Sequence, residues 1–103
     1  MKTLAEVVDE LDDRSFRIAD FLVRQGIKGD RDNCTSCPIA EYVLRATGAR
    51  WADVTATEIE VAYRDGSAQV VETPEHVVDF IEDFDGGRYP ELVRTFTADE
   101  LLP

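Results

Sequence analysis

An α+β fold is predicted by three features of the chain. Apolar residues recur at three- and four-residue intervals near the N-terminus and again after residue 74, and between residues 54 and 63 the period shortens to two. An Asp65-Gly66 pair then joins that alternating stretch to a second one at residues 68 to 72, the signature of a hairpin turn. The expected order is N-terminal helices, one antiparallel β-hairpin, then a helix and short C-terminal helical turns. With 103 residues, of which 44% are hydrophobic, residues 1–103 suffice for a single small acidic domain with one core.

The first helix is announced by Thr3-Leu4-Ala5-Glu6, whose S/T-x-x-E spacing lets the hydroxyl cap the third amide and the carboxylate reach back to the first. Leu4, Val7, Val8, Leu11, Ile18, Phe21 and Leu22 continue on one helical stripe to about Gln25. Polar residues 12 to 15 interrupt that stripe. One kinked helix and two short ones, the second capped by Asp13 or Ser15, both satisfy the pattern. Gly26 suits a left-handed C-terminal position, with Ile27 folding back on Leu22.

A polar loop, KGDRDN, leads to Cys34-Thr35-Ser36-Cys37-Pro38, where proline fits the first helical position because its missing N–H would be unpaired there anyway. Ile39, Ala40, Tyr42, Val43 and Ala46 supply the apolar side of this helix, and Gly48 ends it. In the strand that follows, Thr57, Ile59, Val61 and Tyr63 share one side while Glu58, Glu60 and Ala62 share the other. Thr73-Pro74 reads as cap and first residue of a helix with Val77, Val78, Phe80, Ile81 and Phe84 inward, stopped by Gly86-Gly87. Residues 89 to 93 begin another short helix, and Thr97-Ala98-Asp99-Glu100 repeats the capping spacing. Trp51 and Tyr89 are expected at the edge of the core.

Charge is the strongest global signal. The chain carries 22 acidic against 11 basic residues, and the imbalance lies almost wholly in residues 52–103, where thirteen acids meet only Arg64, Arg88 and Arg94. Such a field repels nucleic acid and anionic membranes and attracts basic surfaces. No apolar run approaches a membrane span, and the first residues lack the apolar centre of a secretory signal, so the expectation is a soluble cytoplasmic protein.

Cys34 and Cys37, the only cysteines, admit three readings. A thiol in the first turn of a helix favours thiolate, which suits redox chemistry, yet no strand delivers this pair as a thioredoxin-like site requires. A zinc site would use Cys34, Cys37 and the single histidine, His76, with Asp32 or Glu75 completing the four ligands. The third reading is packing: Cys37 caps or underlies the helix while Cys34 stays in the loop, and this is the simplest of the three. The stretch Cys37-Pro38-Ile39-Ala40-Glu41-Tyr42-Val43 resembles a C-P-I/L-A-x-Y-L segment of small uncharacterised proteins of actinobacteria and their phages. The resemblance covers about a tenth of the chain and implies a provenance, without an activity or a catalytic residue.

Phosphate-binding glycine loops and the common hydrolase motifs are missing, and His76 is the only imidazole that could serve as base for a nucleophile. A winged DNA-binding reading fails because its wing would carry Glu58, Glu60, Asp65 and Glu72 against phosphates. The acidic run of residues 75 to 87 lacks the spacing of a calcium loop and reads as a solvated helix face. The expectation is therefore a small non-enzymatic binding or regulatory protein, phage-derived, without a cofactor, acting as a DNA mimic on a basic, nucleic-acid-binding partner. Its binding residues would be Glu58, Glu60, Glu72, Glu75, Asp79, Glu82 and Asp83. The alternatives are a zinc- or thiol-dependent protein centred on Cys34 and Cys37, and a structural module that forms a homodimer.

Overall fold

A computed structural model describes residues 2–11 and 13–94. The N-terminal stripe divides into two helices, α1 (Leu4–Asp9) and α2 (Ser15–Arg24). The Thr3 capping box forms as the spacing requires, with the Thr3 hydroxyl accepting from the Glu6 amide and the Glu6 carboxylate accepting from the Thr3 amide. The second cap differs from expectation. Arg14 occupies that position without a side-chain bond, and Ser15 is already helical because its hydroxyl serves another helix. At the end of α2, Gly26 adopts a φ of +71°, and the Ile27 amide donates to the Leu22 carbonyl at 3.0 Å, closing the predicted C-terminal turn.

Helix α3 (Pro38–Thr47) begins at the second cysteine and ends at Gly48, whose φ of +72° is the left-handed value that glycine tolerates. Three strands follow: β1 (Trp51–Val54), β2 (Glu58–Ala62) and β3 (Ala68–Glu72), in an antiparallel meander of order β1-β2-β3. The expected hairpin is thus present as β2 and β3, and a third strand extends it. The stretch expected as one strand over residues 54 to 63 breaks at Thr55, whose hydroxyl accepts from the amides of Thr57 and Glu58 and turns the chain back on β1. The hairpin loop is also one residue longer than predicted. Only Gly66 has positive φ, and the closing bond runs from the Tyr63 amide to the Ser67 carbonyl at 2.8 Å, which makes a three-residue loop. Helix α4 (Glu75–Asp85) is capped by Pro74 instead of Thr73, whose hydroxyl donates to the Thr55 carbonyl at 2.7 Å. Gly86 and Gly87 end it as predicted, and a 3-10 turn (Pro90–Leu92) follows. The capping motif of residues 97 to 100 lies outside the described residues.

The described helices cover one face of the sheet only. α3 lies against β1, α1 against both α3 and β3, and α2 packs on α4 and the 3-10 turn. The core joins Leu4, Val7, Ile18, Leu22, Ile39 and Val43 to Ile59 and Val61 of the sheet and to Phe80 and Phe84 of α4, so α4 builds the core along with the N-terminal helices and the hairpin. Phe80 stacks on Phe84 at 6.1 Å and on Tyr89 at 5.6 Å, which places Tyr89 at the core edge as expected. Trp51 does not join it and remains 40% exposed on the opposite face of the sheet.

Gly29 sits at a tight crossing of the backbone. Its amide donates to the Leu92 carbonyl and its own carbonyl accepts from the Arg94 amide, in a parallel bridge between Gly29 and Val93. A Cβ there would stand 2.6 Å from the Ser36 carbonyl oxygen and closer still to backbone atoms of Cys37 and Pro38. Because those neighbours are backbone, no rotamer change relieves the clash. Gly29→Ala is expected to destabilise the fold by about 3 kcal/mol, the upper end of overpacking costs, measured by urea unfolding; a loss within 0.5 kcal/mol, on the order of an ordinary surface change, would contradict this crossing.

Candidate acidic face and cysteine loop

The register decides which carboxylates meet. Ala52, Val54, Ile59 and Val61 are buried on the helix-covered face, so alternation places Trp51, Asp53, Glu58, Glu60, Ala62, Ala68, Val70 and Glu72 on the other face. Across the strands Asp53 stands opposite Glu60, and Glu58 opposite Glu72. Directly opposed like charges destabilise a sheet. Neither pair is compensated, since none of these four side chains forms a hydrogen bond or ion pair among the described residues. Asp53 is the member of this group that sequence reasoning missed, because the strand carrying it is only four residues long; once Glu60 is paired with Asp53, the grouping follows from alternation alone.

On α4, Glu75, Asp79 and Glu82 recur at i, i+4 and i+7 and are all exposed on one stripe, also without ion-pair partners among the described residues. Asp83 departs from its expected role. It lies one step round the helix, where its carboxylate accepts from the Ser15 hydroxyl at 2.6 Å. That serine has spent its only proton, so the contact of 2.8 Å between Ser15 Oγ and Tyr89 Oη has the tyrosine as donor. Asp83 is therefore a link between α2, α4 and the 3-10 turn. The six remaining predicted carboxylates fall into a sheet group and a helix group, connected through Thr73 and Pro74.

The cysteine loop meets α4 at its other end. Cys37 caps α3, its sulfur accepting from the Ala40 amide at 3.4 Å, while Cys34 is exposed. Asp32, Cys34, Cys37, Val54, Ile81 and Asp85 line a small cavity of about 320 Å³. His76 does not reach it. Asp85 is nine residues further along α4, roughly 13 Å at the helical rise, and among the described residues no group of three or more His, Cys, Asp or Glu side chains is arranged to hold a metal ion. Burial of Cys37 pushes its thiol from 9.0 to about 11, the opposite of activation for nucleophilic chemistry. The loop is tied down through its backbone groups: the Val54 amide donates to the Cys34 carbonyl at 2.8 Å, and the Asp32 amide donates to the Asp85 side-chain carboxylate at 3.0 Å. Arg31 adds to this, donating from Nε to the Phe84 carbonyl at 2.8 Å while its guanidinium sits 5.2 Å from the Phe84 ring centre.

A larger groove of about 660 Å³ runs between the helices, with Glu10, Phe21, Tyr42 and Arg45 in its walls. Its polar groups bond one another. Lys2 pairs with Glu10, the Tyr42 hydroxyl donates to Glu10 at 3.3 Å, and Arg45 donates to the Gln25 carbonyl at 3.0 Å. Burial and the neighbouring Glu10 push the Tyr42 hydroxyl up to about 12. No described helix is long and apolar enough to cross a membrane.

Two expectations follow. The neutral Cys37 thiol is favoured in the folded state, so its contribution to stability is complete below pH 9 and is lost as pH rises towards 11. The unfolding free energy from urea titrations should fall across that window by on the order of 2–3 kcal/mol, less so in Cys37→Ser, and a thiol reagent should modify one cysteine quickly in the native protein and two in denaturant. Glu72→Lys converts an opposed acidic pair into an attractive one and should raise Tm by roughly 2–5 °C; an unchanged or lower Tm would mean the Glu58 and Glu72 carboxylates do not confront each other. Compared with protein-family models, curated proteins and solved structures, the chain matches none, so its function has to be argued from this geometry.

Proposed function

We propose that this chain is a small non-enzymatic binding protein whose acidic sheet face engages a basic protein surface. The observation that carries the reading is the pair of opposed, uncompensated carboxylates, Asp53 with Glu60 and Glu58 with Glu72. Folding alone gives no reason to keep like charges opposite one another on an open sheet, because a single lysine at either position would relieve the repulsion. A cationic partner supplies the missing compensation, and it gains both Coulomb attraction and a faster encounter from the field of a chain with net charge −11.

Carboxylates two residues apart on a strand repeat at about 6.7 Å, a regular array of negative charge on an open sheet face. That regularity favours a partner that otherwise grips a phosphate backbone, and the chain would act as its nucleic-acid-mimicking inhibitor. Trp51 and Val70, 40% and 51% exposed, offer apolar contact beside the charges. Glu75, Asp79 and Glu82 extend the field along α4 and steer approach, while Asp83 serves the fold.

The test separates local recognition from bulk charge. On an immobilised arginine octapeptide at 50 mM salt, Glu58→Gln/Glu60→Gln/Glu72→Gln should lose at least tenfold in affinity, whereas Glu75→Gln/Asp79→Asn/Glu82→Gln, with the same change in net charge, should lose less than threefold. Raising salt to 500 mM should release the unmodified chain. Equal losses in the two variants, or retention that ignores salt, would defeat the reading; a basic protein captured from lysate that excess duplex DNA fails to displace would defeat its DNA-mimic form.

A further inference from the structure

The two outer strands of the sheet are finished differently. In β1 the amide of Val54, which points away from β2, is taken up by the Cys34 carbonyl at 2.8 Å. In β3 the outward groups have no such partner among the described residues. The bonds from the Thr73 amide to the Thr57 carbonyl and from the Tyr63 amide to the Ser67 carbonyl fix the parity of the β2–β3 ladder. By that parity Gln69 and Val71 turn their backbone groups towards β2, and Ala68, Val70 and Glu72 turn theirs outward, away from every described strand. These three residues are exposed. The edge carries no proline, lysine or bulge, the devices that normally stop a free strand from pairing, and Val70 at its centre is 51% exposed.

We infer that β3 is a docking edge, and that the occupant is an extended basic segment of the partner, added antiparallel as a fourth strand. This rests on the proposal that the partner is cationic. An added strand would stand about 4.8 Å from β3, with its outer-face side chains beside Ala68, Val70 and Glu72. Glu60 and Glu58 lie one strand further in, opposite Val70 and Glu72. Backbone pairing gives such a segment its register, and alternate basic side chains gain the carboxylates. A second copy of the chain fits less well, since it would bring Glu72 and no cation to the same edge and set two bodies of net charge −11 against each other.

Antiparallel addition makes a sharp demand on the ligand. Residues opposite Ala68, Val70 and Glu72 share the outer face with them and are also the ones whose N–H groups bond β3. For a capped ten-residue peptide alternating arginine and threonine, with arginine on that face, N-methylation of the arginines should weaken binding at least tenfold at 50 mM salt, and N-methylation of the threonines less than threefold. The parent peptide should slow amide exchange at Ala68, Val70 and Glu72 at least tenfold. Val70→Pro removes an N–H that β2 does not use and should also weaken binding tenfold; if that variant misfolds, the methylated peptides against the unmodified chain decide. Equal binding of both methylated peptides would overturn the strand-addition inference while leaving the acidic face intact, and failure of all the peptides to bind would overturn both. Protection of the same three amides by raising protein concentration alone would name a second copy as the occupant and overturn it too.

Discussion

The contact on which the arrangement depends is the crossing at Gly29, where a chain without a Cβ lets the backbone of Ser36, Cys37 and Pro38 close against it. Bonds to Leu92 and Arg94 fix Gly29 from the other side. Held between them, the loop from Asp30 to Cys37 has little freedom. Its carbonyl at Cys34 ends one edge of the sheet, its arginine caps the last turn of α4, and its final residue starts α3. A cation at a helix C-terminus is favoured by the helix dipole, so Arg31 stabilises α4 where that helix most lacks donors. The asymmetry of the sheet, with the Cys34 carbonyl meeting Val54 at one edge and no such bond among the described residues at the other, follows from this loop.

Much of the fold was legible in the sequence because short-range chemistry determined it. The Thr3 box, proline at the start of α3, Gly26, Gly48 and the paired glycines after α4 each solve the problem of unpaired groups at a helix end, and each formed. β1 escaped notice for a physical reason. Trp-Ala-Asp-Val alternates for only four residues, and its large apolar member points to solvent, so its pattern contradicts the rule that would have found it. Thr73 and Ser15 looked like caps, yet their hydroxyls bond partners distant in sequence, Thr55 and Asp83. Asp83 was misread for the same reason: a helical wheel locates it beside Asp79, and only the packing of α2 on α4 reveals that its carboxylate faces inward.

The two cysteines of one motif meet different surroundings. Two thiols separated by two residues are the spacing of redox and metal chemistry, and here each also has a structural task on one tight loop. Cys37 uses its sulfur as a cap acceptor, and Cys34 contributes its main-chain carbonyl, a role open to any side chain. Sequence alone could state the alternatives. Burial of Cys37 and the distance to His76 along α4 favour architecture over chemistry, because a buried neutral thiol is a weak nucleophile and a poor ligand.

The charge imbalance between the two halves becomes spatial for a related reason. Several bases of the first half are engaged within the molecule: Lys2 with Glu10, Arg31 with carbonyls of Phe84 and Arg88, and Arg45 with the carbonyl of Gln25. Arg94, one of three bases in the second half, pairs with Asp30 and Glu41, both from the first. No described base forms an ion pair with the sheet carboxylates, and the described helices that bury the inner face leave the outer face to water. Exposed carboxylates cost little individually while water screens them, but two opposed pairs on neighbouring strands work against the sheet that holds them. A fold that keeps them must be stabilised elsewhere, by its aromatic and aliphatic core and its closely tied loop. What the sheet loses in internal compensation is what a cationic surface can restore on contact.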